Sequence, residues 1–287
     1  MSQPVTAIDL LCYPPTRRDN AAASGTLQCL EPPQALVQRM DAAGVEKAFI
    51  TQCKKWSCER QWLCMDTRLE DVLRYTQACP ERFVGLAGYN PYDIPGSLEE
   101  IDGAARRHGF RGVYVNAASF RMPLTGPQMY PLFAKALELG LPVVVQLRNA
   151  GSLDERFTLL ELERVAADFE TLVLLGALAE WPEQRETEPV WARQDNVHFV
   201  LDSSALFAAP PWAREFLDSA EGRDRFCWGS HEADWKVALA QVWALGLAEE
   251  IEHSLLRDNA RRLFRLEGEF PVRAEQPPAR EPLIAER

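Results

Sequence analysis

A chain of 287 residues with 47% hydrophobic and 25% charged residues can bury a large core without help from disulfides or metals. Its net charge of -11 and pI near 5.0 exclude the concentrated basic face that a nucleic acid or an anionic membrane would need. No window approaches the roughly 18 consecutive apolar residues of a membrane span, and the first residues show no basic start followed by an apolar stretch, so the expected location is cytoplasmic.

Taken in order, short apolar runs alternate with helical patterns. Residues 5–12 read as a first strand, ended by Pro14-Pro15, because a proline pair cannot continue a paired strand. A helix is expected over 33–43, closing at Gly44, then a strand over 47–53, a long tryptophan-rich loop and a helix through about 78. Strands over 82–89 and 110–116 flank a helix entered at Pro95-Gly96-Ser97 and ended at Gly109. A helix over 127–139 with Gly140 at its cap leads to 141–147, an almost continuous apolar run of the kind buried on both faces of a parallel sheet. A helix over 153–169 and strands over 171–177, 196–202 and 225–230 complete the alternation, followed by two helical pieces ending near Leu266.

About eight strand–helix alternations in this length predict an α/β fold, a (β/α)8 TIM barrel, as one domain over 1–266. The proline-rich stretch 267–287 is expected to be a loosely attached tail. The seven cysteines are an odd number, expected to remain thiols. The spacing of Cys53, Cys58 and Cys64 matches neither a zinc nor a common iron–sulfur pattern.

Several segments together resemble the amidohydrolase-related family, the branch that includes aminocarboxymuconate semialdehyde decarboxylase and related aromatic acid decarboxylases and hydrolases. They are Pro80-Glu81-Arg82-Phe83-Val84-Gly85, Gly109-Phe110-Arg111-Gly112-Val113, Leu139-Gly140-Leu141-Pro142-Val143, Trp228-Gly229-Ser230 and the close Asp258-Asn259-Ala260-Arg261-Arg262-Leu263-Phe264. The resemblance implies a metal held by an H-x-H on strand one, a His after strand five, a His after strand six and an Asp after strand eight. Here those positions read Leu11-Cys12-Tyr13, Gln146, Leu178 and His231. The chain has four histidines, His108, His198, His231 and His253, and only His231 falls at the C-terminal end of an expected strand. One imidazole cannot build the nitrogen-rich site of a catalytic zinc, so no metal and no other cofactor is expected.

Barrel active sites gather side chains from the C-terminal ends of different strands. His231, with an ordinary pKa near 6.5, suits a general acid or base; the alternative is a histidine that only hydrogen-bonds within its loop. Glu180 suits an orienting or second acid–base group, or a cap for the helix after Trp181-Pro182. Cys12 is a nucleophile if a base lies near it and otherwise a small buried hydrophobe. For substrate binding, Arg148 suits bidentate carboxylate recognition, and Gln146 and Asn116 suit hydrogen bonds to a carbonyl. Tyr13 and Lys54 also stand at strand ends, Lys54 either pairing with substrate charge or solvated. Trp181, with Trp56, Trp62, Trp228 and Trp235, either walls a pocket for a planar ligand or packs in the core and rim.

Two functions are consistent with this set. The first is a metal-independent enzyme acting on a small, expected anionic, carboxylated or cyclic substrate by hydrolysis, decarboxylation or a related proton transfer. The second is a catalytically silent barrel that binds a ligand or an active partner. Leu11 and Leu178 are inert replacements, whereas Gln146, Glu180 and His231 are chemically capable, which favours the enzyme. Relatives in the family it resembles are often dimers, which makes a homodimer one option, and the sequence itself leaves the oligomeric state open.

Overall fold

A computed structural model describes residues 6–13, 31–147, 159–178, 181, 190, 193–231 and 233–267. Its strands are β1 (Ala7–Cys12), β2 (Val45–Thr51), β3 (Lys54–Ser57), β4 (Trp62–Asp66), β5 (Phe83–Gly88), β6 (Gly112–Val115), β7 (Val143–Gln146), β8 (Leu174–Leu178), β9 (Val197–Leu201) and β10 (Phe226–Trp228). Eight of them form one parallel sheet in the order β1-β2-β5-β6-β7-β8-β9-β10, with helices between, and curl into a nearly closed (β/α)8 barrel. Each expected barrel strand is present. The expected tryptophan-rich loop is instead partly structured: β3 and β4 pair antiparallel as a separate hairpin after β2. Three short helices, Ser203–Phe207, Pro211–Leu217 and Ala220–Arg223, also stand between β9 and β10, where no helix was expected. Among the described residues, no helix is long and apolar enough to cross a membrane.

The helix Tyr130–Leu139 shows how the connections are set. Pro131 sits in its first turn, where the missing N–H costs nothing, and Gly140 ends it at φ 67, the left-handed conformation that a side chain disfavours. Leu132, Phe133, Ala136 and Leu139 face the sheet. Strand residues of β2 and β6–β10 then alternate. Phe49, Tyr114, Val144, Leu175, Ala177, Val200 and Cys227 form an inner cluster. Their neighbours Ala48, Ile50, Val113, Val115, Val143, Val145, Leu174, Leu178, Leu201, Phe226 and Trp228 pack outward under the helices.

The N-terminal end of the barrel is stoppered by the helix Asn259–Leu263 and the residue after it, Phe264, whose ring meets Phe49 at 4.7 Å. Asn259 fixes this plug by donating to the Arg223 and Phe226 carbonyls, both at 2.8 Å. That gives the Asp-Asn-Ala-Arg-Arg-Leu-Phe close a structural purpose. His198 enters the same end of the barrel and is buried, with Nδ1 lacking a hydrogen-bond partner. Burial, reinforced by Arg262 and Arg225, pushes its pKa down to about 3 against a hydrogen bond that the ring donates to the Asp224 backbone carbonyl.

Between β1 and β10 there is no backbone ladder, and side chains close the seam. Asp9, fully buried, accepts from the Ser230 N–H at 2.8 Å, the Ser230 hydroxyl at 2.6 Å, Trp235 Nε1 at 2.7 Å and the Leu11 N–H at 3.0 Å. Gly229 permits the approach: a Cβ there would lie 3.1 Å from Leu11 Cβ and 2.9 Å from Val200 Cγ1.

Two expectations follow for stability. Asp9→Ala strands four buried donors and should lower the unfolding free energy by about 3–5 kcal/mol in urea titrations; a loss below about 1 kcal/mol, the worth of one ordinary hydrogen bond, would show that the seam does not depend on this carboxylate. For His198, the folded pKa lies below the unfolded one, so its contribution is complete above about pH 6.5 and drains as pH falls toward 3, by about 1.4 kcal/mol per pH unit. His198→Leu should flatten the dependence of unfolding free energy on pH between 6.5 and 5; an unchanged slope contradicts the assignment.

Candidate active site

The seam shapes the C-terminal mouth of the barrel. Because the Asp9 carboxylate accepts from the Leu11 N–H two residues on, β1 bulges and its register with β2 shifts between Asp9 and Cys12. Leu10 and Leu11 both join the inner cluster, and the alternation resumes one residue late. Cys12 is thereby turned outward, into the cluster beneath the helices and beside Tyr75, while Tyr13 packs against the interior.

From there a hydrogen-bonded chain crosses the mouth. The Tyr13 and Tyr114 hydroxyls lie 3.0 Å apart, their rings edge to face at 6.0 Å, and the Tyr114 hydroxyl reaches Gln146 Oε1 at 3.4 Å. Asn116 completes the group: its Oδ1 accepts from the Ser119 N–H at 3.1 Å, and its side chain hydrogen-bonds Tyr114. Full burial raises the Tyr114 pKa well above 10, so this hydroxyl stays neutral. Thr51 lies on the inner face between Phe49 and Cys53, its Oγ1 buried without a hydrogen-bond partner.

Opposite β1, the chain leaves β10 through Gly229-Ser230 and reaches His231 with φ at 49, a left-handed conformation for a residue with a side chain. Its Nε2 is buried and has no hydrogen-bond partner. Burial lowers the His231 pKa, opposed by the carboxylates of Asp202 and then Asp9. Asp202 stands just beyond β9 and caps the helix Ser203–Phe207 by accepting from the Ala205 N–H at 2.6 Å. A left-handed backbone, a buried Nε2 without a hydrogen-bond partner and the electrostatic pull of two carboxylates therefore meet at one residue.

The expected site residues thus divide. Tyr13, Asn116 and Gln146 are joined through Tyr114, while His231 stands just beyond the end of β10 under the influence of Asp202 and Asp9. Cys12 does not join them, for the reason given. Lys54 pairs with Asp66 across the hairpin at 2.6 Å. Trp181 belongs to the helix layer, donating to the Ala205 carbonyl at 2.7 Å and packing on Trp212 and Phe226. Arg148 and Glu180 lie outside the described residues. Tyr114 and Thr51 were not expected at the mouth, although the period-two alternation about Val113 and Val115 is enough to aim Tyr114 inward. A surface groove of about 780 Å³ lined by Arg223, His253 and Asp258 lies at the opposite end of the barrel, ahead of β10.

Among the described residues no three His, Cys, Asp or Glu side chains converge as metal donors. Leu11 is hydrocarbon, Leu178 packs outward, and the Asp9 oxygens are already saturated by four donors. The described residues therefore do not fit a bound transition metal.

Comparison with known proteins follows the same lines. An amidohydrolase family model matches residues 21–266, beginning after β1. No curated protein matches the chain. Among solved structures, an uncharacterized TIM-barrel protein from Bordetella bronchiseptica is 20% identical with a TM-score of 0.70, covering 90% of this chain and 98% of its own. A protein assigned as a 2-pyrone-4,6-dicarboxylic acid hydrolase from Pseudomonas putida is 20% identical with a TM-score of 0.66, covering 93% and 100%. A 2,6-dihydroxybenzoate decarboxylase from Rhizobium is 18% identical with a TM-score of 0.64, covering 92% and 100%.

The left-handed backbone at position 231 yields an expectation of its own. His231→Gly should relieve about 1 kcal/mol of backbone strain and remove an unsatisfied buried nitrogen, so urea unfolding should show a variant as stable as the wild type or more so. A loss above about 2 kcal/mol, the scale of a core cavity, would mean that the imidazole is held for packing.

Proposed function

Because the chain belongs to the amidohydrolase family, we propose that it is an enzyme acting on a small carboxylated or cyclic substrate, by hydrolysis, decarboxylation or a related proton transfer, without a bound metal. The observation that carries this reading is His231, a half-buried residue whose Nε2 is buried and unpartnered at the C-terminal mouth of a barrel. The names of two structural neighbours support the substrate class, since both describe enzymes of small ring carboxylates.

His231 is the general base. Burial keeps its imidazole neutral near pH 7, so Nε2 accepts a proton from water or a substrate hydroxyl as the bond changes, and returns it to the product. Asn116, Gln146 and Tyr13 offer hydrogen bonds to a substrate oxygen. Arg148 takes the substrate carboxylate as a bidentate partner, and Glu180 serves as the second acid–base group. Cys12 has no part in this scheme, because it faces the helices.

The test is turnover of a panel of aromatic acids and pyrone lactones by untagged, dialysed protein, with metal content measured on the same sample. Wild-type protein should act on at least one compound, with kcat/KM rising with pH through an apparent pKa below 6.5, because the base works only when deprotonated. His231→Gln should lower that rate by about 10²- to 10⁴-fold. One tightly held zinc per chain overturns the metal-free part, and a panel that binds but is never turned over makes this a silent barrel.

A further inference from the structure

We propose that Asp202 is the positioning residue of the site, the carboxylate that pairs with the His231 imidazole and sets its affinity for a proton. The inference deepens the general-base reading of His231 and rests on it. Two carboxylates raise the proton affinity of His231 among the described residues, Asp202 from the end of β9 and Asp9 from β1, and counting their lone pairs separates them. A carboxylate offers about four acceptor positions. Asp9 uses them on the Leu11 and Ser230 N–H groups, the Ser230 hydroxyl and Trp235 Nε1, and it is fully buried. It is committed to the seam.

Asp202 has given one hydrogen bond position to the Ala205 N–H, through Oδ1, and is only half-buried. Its remaining oxygen is in reserve. The strand register puts it in the right place. Trp228 pairs with Leu201, and the Gly229 N–H donates to the Leu201 carbonyl at 3.1 Å, so Asp202 stands level with the turn that carries His231. Position 202 continues the inward alternation of Val200, and the left-handed conformation at His231 turns the chain back over the strand ends. Capping fixes the Asp202 side chain before any proton moves, so a charge at a set position awaits the imidazolium.

The cap also makes the test clean, because asparagine caps a helix about as well as aspartate and Asp202→Asn removes the charge without removing the cap. Ring NMR titration of the four histidines in the full chain needs no substrate, and the His231→Asn variant identifies the His231 signals. In Asp202→Asn the His231 titration should move to lower pH by about one unit, a tenfold loss of proton affinity. The acid limb of kcat/KM should move with it. A His231 titration unchanged or raised in Asp202→Asn overturns the pairing, as does an imidazole that stays neutral down to acid unfolding in both proteins. A downward shift in a protein that turns over nothing upholds the pairing and discards the enzymatic reading; His231-dependent turnover with an Asp202-independent titration does the reverse.

Discussion

The Asp9 carboxylate is the constraint from which the site takes its form. A parallel eight-stranded barrel ordinarily closes by backbone hydrogen bonds around its full circumference, but here β1 and β10 are joined through one buried side chain that accepts four hydrogen bonds. One of those bonds is local, to Leu11, and bulges β1; the other three hold Ser230 and Trp235. The same group therefore decides which residues of β1 face the interior and where the chain after β10 begins its turn toward His231. Replacing it with a neutral group would disturb both walls of the mouth together.

The fold was legible in the sequence because it rests on period and punctuation. Alternating short apolar runs and helical patterns, with Gly44, Gly109 and Gly140 at helix ends, carry the barrel almost element by element. The hairpin of β3 and β4 escaped because Lys54–Ser57 and Trp62–Asp66 are half-exposed and mixed in character, without a clean alternation. The candidate site was legible only in part. His231, Gln146 and Asn116 stand at strand ends that the apolar runs define. Cys12 left the mouth because a side-chain-to-backbone hydrogen bond, invisible to any period-two count, goes with a bulge between Asp9 and Cys12. Trp181 went to the helix layer for want of any sequence signal that separates an aromatic wall from aromatic packing.

Family membership and site chemistry point in different directions here. The matched region spans the barrel from residue 21 onward and omits β1, the strand on which the family resemblance places an H-x-H pair. At the strand ends stands a set of neutral donors and acceptors, Tyr13, Tyr114, Asn116 and Gln146, tied to one another, and beyond β10 an imidazole under the influence of Asp202 and Asp9. Hydrocarbon fills one abandoned position and turns away from another, but the polar set is buried and hydrogen-bonded in a way that apolar replacement alone does not produce.

The seam has a further consequence for how the protein is made. Every other strand of the barrel pairs with one close to it in the chain, whereas Asp9 must wait for partners 221 and 226 residues away. During synthesis β1 can dock on β2 early, yet the side of the mouth that it forms has no opposing side until β10 has emerged and Gly229 has slid against Leu11. The two halves of the mouth thus come together in the last closing event, and a chain that has built most of its barrel still has no site.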